Sequence, residues 1–194
     1  MLVPGEDFEF FNPYAEVAMT RANLPHWQQK RVLYFVTFRL NDSIPREKLR
    51  DWRIHYENWL RANPKPWNEQ QHETYLSEFA RKVERWLDAG HGDCCLKKTA
   101  CRDIVADCLT FQDPHYYRLD AWTISANHVH ALVAPRKGHR LPEIMKSWKG
   151  VTARRINRHL ERSGPLWQKE YYDHIVRNPM ALERIRAYIR RHDL

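Results

Sequence analysis

The sequence predicts an α+β fold in which helices cover one face of a ferredoxin-like antiparallel sheet. "RVLYFVTFRL" (residues 31–40) is rich in the β-branched and aromatic residues that favour strands. Two further apolar runs, residues 116–125 and 128–135, flank the short turn Ala126-Asn127, which is typical of an antiparallel hairpin. With the helical stretches between and after them, the order is strand, helices, strand, strand, helix, extended segment, helix. This order favours the ferredoxin-like topology, with the first strand in the centre of the sheet.

The helices are predicted from apolar residues that recur at three- and four-residue spacing. A helical hairpin is inserted after the first strand, at about residues 46–93, and the segment from Trp167 to Arg177 is predicted to be extended. The predicted helices span residues 45–60, 68–87, 97–109, 141–160 and 179–192.

Composition and length indicate one globular domain. The chain has 194 residues, of which 43% are hydrophobic, and only six glycines, which argues against a disordered or fibrous chain. There is no signal-peptide pattern and no apolar run of membrane-spanning length, so we expect a cytoplasmic protein. The four cysteines form no CxxC pair and are predicted to be buried thiols rather than disulfides or zinc ligands; they are Cys94, Cys95, Cys101 and Cys108.

The positive charge is concentrated in one stretch. The net charge is +8, and residues 136–162 hold nine bases against two acids. A solvated helix face would explain such a run, but its place directly after the second hairpin strand favours a surface for a phosphate backbone. Trp148 could stack on a base, although its spacing favours the core. The candidate DNA-binding residues are Lys146, Lys149, Arg154, Arg155 and Arg158.

Two histidines one residue apart stand in the strand "HVHALVAP". Alternate residues of a strand share a face, so His128 and His130 lie side by side with their backbones about 6–7 Å apart. Such a pair is either structural or binds one metal ion. The final helix places Tyr188 and His192 on one face, one turn apart. These residue types suit phosphoryl transfer, because a divalent cation neutralises a phosphodiester and a tyrosine hydroxyl can then attack phosphorus.

The chain resembles the single-tyrosine transposases of the HUH nuclease class, in the branch of REP-associated tyrosine transposases and their insertion-sequence relatives. The matching stretches are "YFVTFRL" (34–40), "AWTISANHVHALV" (121–133), "LWQKEYYDHIVR" (166–177) and "AYIRRH" (187–192). The resemblance implies an HUH nuclease fold over residues 28–194, with the helical insertion inside it and residues 1–27 as an N-terminal extension.

The resemblance also implies roles for the site residues. His128 and His130 would be metal ligands and Tyr188 the nucleophile, while His192 stands where the family typically has Asn or Gln as the third ligand. The implied cofactor is Mg²⁺ or Mn²⁺, and three imidazoles would shift the preference towards Mn²⁺. Tyr171 and Tyr172 compete with Tyr188 for the nucleophile's role, and the neighbouring Asp173 and His174 could form a general-base pair or serve structure alone.

The resulting hypothesis is a metal-dependent transposase or nickase that cleaves and rejoins single-stranded or hairpin DNA through a 5′-phosphotyrosine intermediate. Two alternatives stay open. The first is a domesticated, catalytically weakened DNA-hairpin-binding protein, because the family pattern continues beyond the tyrosine helix whereas this chain ends at Asp193-Leu194. The second is a metallohydrolase acting on small phosphodiesters. The sequence does not decide between a monomer and a homodimer.

Overall fold

A four-stranded antiparallel sheet forms the centre of the protein in a computed structural model that describes residues 1–21, 25–64 and 67–192. The first sheet strand along the chain lies between the third and the fourth, which is the ferredoxin-like order and confirms the predicted fold class. A separate hairpin consists of β1 (Ala18–Arg21) and β2 (Pro25–Gln28). The sheet order is β4 (Tyr117–Ile124), β5 (His128–Pro135), β3 (Tyr34–Arg39) and β6 (Tyr172–Ile175).

The helices lie within a few residues of their predicted positions. They are α1 (Arg46–Ala62), α2 (Glu69–Tyr75), α3 (Arg81–Asp88), α4 (Thr99–Thr110), α5 (Leu141–His159) and α6 (Pro179–Arg191). A π-helical turn, Leu76–Ala80, joins α2 to α3, and a 3₁₀ turn, Cys95–Lys97, precedes α4. None of the helices in the described ranges is both long enough and apolar enough to cross a lipid bilayer.

Helices α4 and α5 cover one face of the sheet. This face carries the odd-numbered residues of β5, such as Val129 and Val133, which lie in one buried cluster with Phe38 and Trp148. Trp148 is 2% exposed and its indole Nε1–H donates to the hydroxyl of Tyr117 at 2.9 Å. Trp148 is therefore a core residue, as its spacing predicts. The four cysteines are buried free thiols, as expected from the sequence.

Helix α6 packs on the opposite face, which is a difference from the prediction that the helices lie on one face. The even-numbered residues of β5 face this side, and Leu132 forms a second buried cluster there with Phe35 and with Leu182 and Ile189 of α6. An apolar sheet face of this kind has to be covered for the sheet to be stable. The helix begins at Pro179, where the Asn178 side chain accepts a hydrogen bond from the Ala181 amide.

A buried ion pair fixes α6 to the sheet and to the N-terminal segment. The Asp120 carboxylate is fully buried, and both of its oxygens accept hydrogen bonds from the Arg186 guanidinium at 2.7 and 2.8 Å. The backbone of Leu2 joins this cluster, because its amide donates to Asp120 and its carbonyl accepts from Arg186. Leu2 and Phe8 also belong to the second buried cluster. Residues near the N-terminus thus support the helix that carries Tyr188, while the predicted boundary after residue 27 stays a prediction.

Candidate active site

The two strand histidines lie side by side on the sheet face that α6 covers. Their ring centroids are 4.6 Å apart, and both side chains are buried. In the β3–β5 ladder His130 stands opposite Thr37 and His128 opposite Arg39, and directly opposed residues share a face. The alternation inferred from the sequence therefore places these four side chains in one patch.

Hydrogen bonds fix the orientation of both imidazole rings. The Asn127 amide donates through Nδ2 to the His91 carbonyl, so its Oδ1 faces His128 and accepts from Nδ1–H at 2.9 Å. This tautomer leaves the lone pair on Nε2 of His128, a buried atom to which the described part of the chain offers no hydrogen-bond partner. Nδ1 of His130 lies 2.8 Å from the Thr37 hydroxyl. Such contacts at the second ring nitrogen are typical of histidines that bind metal ions.

Both rings are neutral at ordinary pH. Burial lowers the pKa of His128 to about 3 and lowers that of His130 well below its usual value, with the nearby His192 contributing in each case. Because a metal ion binds the neutral form of imidazole, the two Nε2 atoms are in the protonation state that a ligand needs.

Tyr188 meets the pair from α6. Its hydroxyl lies 3.1 Å from Nε2 of His130, to which it donates in the tautomer that a metal ligand requires. The ring also makes an edge contact with Phe35, with centroids 6.2 Å apart. Burial, with the negative charges of Glu84 and Asp88, raises the pKa of Tyr188, so the hydroxyl stays protonated. The phenol therefore needs to lose a proton before or during any attack on phosphorus.

His192 lies beside this group, but its nitrogens are engaged elsewhere. Its ring packs on Tyr188 at 4.3 Å and lies 6.0 Å from the ring of His130. Its Nδ1–H donates to the Tyr188 carbonyl, and its Nε2 lies 3.5 Å from an Asp88 oxygen. Across residues 1–21, 25–64 and 67–192, no three His, Cys, Asp or Glu side chains are arranged to hold a metal ion. The role of His192 as third ligand stays a prediction.

The donor atoms present fit part of a metal site. The unpartnered Nε2 of His128 supplies one imidazole ligand, and Nε2 of His130 supplies a second once the Tyr188 hydroxyl leaves it. Two imidazoles suit a divalent ion such as Mn²⁺ better than Mg²⁺, which prefers oxygen ligands. His128 and His130 therefore fit the implied cofactor, and water or phosphate oxygens would complete its coordination.

The competing tyrosines differ in their surroundings. Tyr172 stands opposite Thr37 on the histidine face of β6, and its hydroxyl is hydrogen-bonded to that of Tyr75. Tyr171 packs against the core on the other face. Asp173 and His174 are successive strand residues, so their side chains leave opposite faces of the sheet, which disfavours their use as one general-base pair. The Tyr188 hydroxyl, by contrast, contacts Nε2 of His130.

The predicted DNA-binding residues lie on α5, across the sheet from Tyr188. Lys149 is partly buried and donates to the Lys169 carbonyl, and Arg155 forms an ion pair with Asp107 at 3.5 Å. Lys146, Arg154 and Arg158 are exposed to solvent. The structure therefore does not bring this basic surface to the histidine pair, and its contact with DNA stays a prediction.

Three neighbours of the histidines were not identified from the sequence: Thr37, Arg39 and Asn127. Thr37 and Arg39 share a face because they are two residues apart, but their position beside the histidines follows only from the pairing of β3 with β5. Asn127 was interpreted as a turn residue, whereas its fully buried amide orients His128. The sequence does contain a signal for this role of Asn127, because a side-chain amide just before a histidine pair is well placed to form a hydrogen bond with the first ring.

A cleft of about 850 Å³ lies along β6, the edge strand of the sheet, and Tyr188 is one of the residues that line it. Aromatic rings contributed by the N-terminal segment, the helical insertion and β6 line it, together with three arginines. These lining residues include Phe11, Trp27, Trp67, Tyr75, Tyr172, Arg81, Arg177 and Arg184. The cleft is a path by which an extended substrate could reach the tyrosine.

Comparison with known proteins gives one family. Residues 98–192 match the family model described as "Transposase IS200 like". A solved structure of a REP-associated tyrosine transposase bound to a REP hairpin is similar, with 11% identity and a TM-score of 0.46 over 87% of this chain and 70% of that chain. A Deinococcus radiodurans R1 protein, provisionally described as a transposase, matches with 16% identity and a TM-score of 0.36 over 96% and 98%. No curated protein matches.

Proposed function

Because the chain belongs, through residues 98–192, to the IS200-like transposases, we propose that it cleaves and rejoins single-stranded or hairpin DNA with Tyr188 as the nucleophile. The observation that carries this proposal is the contact of 3.1 Å between the Tyr188 hydroxyl and Nε2 of His130. It joins the only described pair of buried strand histidines to a tyrosine on the last helix.

The cleavage step is a substitution at phosphorus. The Tyr188 oxygen forms a bond to phosphorus, the bond from phosphorus to the 3′ oxygen breaks, and the strand ends are a 5′-phosphotyrosine and a 3′-hydroxyl. The phenolic proton is lost and the leaving 3′ oxygen gains one, so charge is conserved. The phosphotyrosine bond preserves the energy of the phosphodiester, and attack by another 3′-hydroxyl reverses the step.

His130 holds the phenol at the site before reaction. Asn127 and Thr37 contact Nδ1 of the two rings and thereby leave Nε2 of each ring as the atom that can bind a metal ion. When bound there, Mn²⁺ or Mg²⁺ would offset the negative charge of the phosphate and lower the cost of forming a phenolate. The low pKa values of His128 and His130 keep their lone pairs available for it.

The cleft that Tyr188 helps to line supports DNA as the substrate. Aromatic rings such as Trp67 and Tyr75 offer surfaces on which unpaired bases stack, and Arg177 and Arg184 can contact phosphates. The α5 surface, on the other face of the sheet, could bind a more distant part of the same DNA.

The proposal is tested with a randomised pool of DNA hairpins that have single-stranded flanks, because the target sequence is unknown. The pool is labelled at the 5′ end or at the 3′ end, incubated with the protein and Mn²⁺, and run on a denaturing gel. We expect the 3′ label to move with the protein band and the 5′ label to appear on a shorter free strand. The reverse distribution of labels would contradict a 5′-phosphotyrosine.

The same gel separates the alternatives. Retention of the hairpins on a native gel without any covalent product would favour a DNA-binding protein that has lost catalysis. Cleavage that leaves no label on the protein would indicate water as the nucleophile, which is the mechanism of a metallohydrolase.

Metal preference follows from the ligand chemistry. We expect EDTA to abolish the covalent product and Mn²⁺ to restore it at lower concentration than Mg²⁺, because imidazole binds Mn²⁺ more readily. The measurement is a titration of each metal into the EDTA-treated protein with the 3′-labelled pool. Support by Mg²⁺ together with inhibition by Mn²⁺ would contradict the assignment of imidazole ligands.

The Thr37 contact with His130 should affect metal binding. Thr37→Val keeps the shape of the side chain but removes the hydroxyl that orients His130, and we expect Mn²⁺ affinity to fall roughly 10-fold or more. Thr37→Ser keeps the hydroxyl and is the matched control. Calorimetry with Mn²⁺ measures both. Equal Mn²⁺ affinities for Thr37→Val and the wild type would show that this hydroxyl does not support a metal ligand.

A further inference from the structure

Arg39 occupies a position beside the histidine pair that neither its own surroundings nor the cleavage step explains. It ends β3 and stands directly opposite His128, two residues beyond Thr37 on the same face. Opposed residues have their Cβ atoms about 4.5–5.5 Å apart, so the arginine side chain starts from the sheet position next to that of His128.

The guanidinium has little to bind within the protein. Its Nη1 donates to the hydroxyl of Ser43 at 3.1 Å, and that hydroxyl donates in turn to the Leu40 carbonyl. A guanidinium has five N–H donors, and the remaining ones are not used in any hydrogen bond found in the described part of the chain. The Ser43 contact fixes the direction of the side chain without neutralising its charge.

Arg186 and Arg118, which are also shielded from solvent, differ from Arg39 in this respect. Arg186 is paired with Asp120 and Arg118 with Asp7. No carboxylate lies within ion-pair distance of Arg39 among the residues that the structure describes. Burial alone lowers the pKa of Arg39 to about 10, so the side chain is still charged at neutral pH. A partly buried cation without an anion is costly, and its retention beside two neutral imidazoles indicates an external anion.

We propose that Arg39 binds a backbone phosphate of the DNA at the histidine pair, donating N–H groups of its guanidinium to the non-bridging oxygens. Planar guanidinium groups suit this geometry, because two parallel N–H donors match two phosphate oxygens. The identity of the anion as DNA rests on the proposed function, whereas phosphate binding by Arg39 is tested separately from it.

The first experiment measures anion binding without catalysis. Inorganic phosphate is titrated into the wild type, Arg39→Gln and Arg39→Lys, and the melting temperature is followed. We expect saturable stabilisation of the wild type, an affinity at least about tenfold lower in Arg39→Gln, and partial recovery in Arg39→Lys. Arg53→Gln, which removes an exposed charge on α1, is the matched control and should resemble the wild type.

A purely structural role gives a different result. If Arg39 only held Ser43, Arg39→Gln would lower the melting temperature in the absence of phosphate but leave the response to phosphate unchanged. If phosphate stabilises Arg39→Gln as much as it stabilises the wild type, the proposal is overturned. The proposal is also overturned if phosphate does not stabilise the wild type.

The second experiment uses the 3′-labelled hairpin pool. We expect Arg39→Gln to form the covalent product at least about tenfold more slowly than the wild type and Arg53→Gln to be close to the wild type. If the wild type forms no covalent product but Arg39→Gln still loses phosphate affinity, the proposed function fails and the phosphate site stands. If the covalent product forms equally in the wild type and Arg39→Gln, the phosphate site fails and the proposed function stands.

Discussion

Replacing Tyr188 with phenylalanine is expected to lower the rate of covalent product formation by at least about three orders of magnitude, because the change removes the attacking oxygen and little else. The phenol contributes one hydrogen bond, to His130, and its ring would keep the edge contact with Phe35. We therefore expect a folded variant with nearly the wild-type melting temperature. The rate is measured with the 3′-labelled pool and Mn²⁺ on a denaturing gel.

The same variant should bind metal more tightly. The Tyr188 hydroxyl competes with a metal ion for the lone pair on Nε2 of His130, and a hydrogen bond of this kind is worth about 1 kcal/mol. Its removal should raise Mn²⁺ affinity roughly fivefold. Tyr172→Phe, which changes a hydroxyl bonded to Tyr75, is the control and should alter neither property. Loss of the covalent product in Tyr172→Phe but not in Tyr188→Phe would assign the nucleophile to Tyr172.

The second large effect is expected at Asp120. Asp120→Asn removes the negative charge from a fully buried pair and leaves the Arg186 guanidinium without its counter-ion. Breaking a buried ion pair in this way costs about 3–5 kcal/mol of the free energy of unfolding. For a chain of this size the melting temperature should fall by roughly 10 °C. Because Arg186 is on the helix that carries Tyr188, covalent product formation should also decrease.

The control for Asp120→Asn is a variant of Glu183, a second carboxylate that binds the same guanidinium. Glu183 also binds Arg186, at 2.8 Å, but its side chain is 63% exposed, so Glu183→Gln should cost less than about 1 kcal/mol. Thermal and urea unfolding of both variants measure the difference. A loss for Asp120→Asn no larger than that for Glu183→Gln would show that the buried pair does not hold α6 in place.

The features that could be predicted from the sequence depend on local periodicity. The alternation in "HVHALVAP" places His128 and His130 on one face, and the spacing of Tyr188 and His192 places both on one side of a helix. The apolar runs and turns likewise predict three strands of the sheet and an extended segment that contains the fourth, while the sheet order is inferred from the ferredoxin-like topology. These signals act over a few residues, so they are visible without knowledge of the tertiary structure.

The features that could not be predicted depend on long-range packing. Asp120 and Arg186 are 66 residues apart, and Leu2 joins them from the other end of the chain. The position of α6 on the histidine face follows from these contacts and from the packing of its apolar residues on that face, and local periodicity does not say which face a helix covers. Arg39 is beside His128 only because β3 pairs with β5 in one register.

The side of the sheet on which the basic stretch lies could not be predicted for the same reason. Helical periodicity separates the basic residues of α5 from its apolar side, but it does not say which face of the sheet the helix covers. The structure places α5 opposite Tyr188, so a charge run that follows the histidine strand in sequence is on the other side of the sheet in space.

The most direct test of the account is to find which residue carries the DNA. The covalent product from the hairpin pool is treated with nuclease and protease, and the modified peptide is sequenced by mass spectrometry. The account predicts a nucleotide phosphate on Tyr188, in a peptide from α6. A nucleotide on Tyr171 or Tyr172, or cleaved DNA without any modified tyrosine, would contradict it.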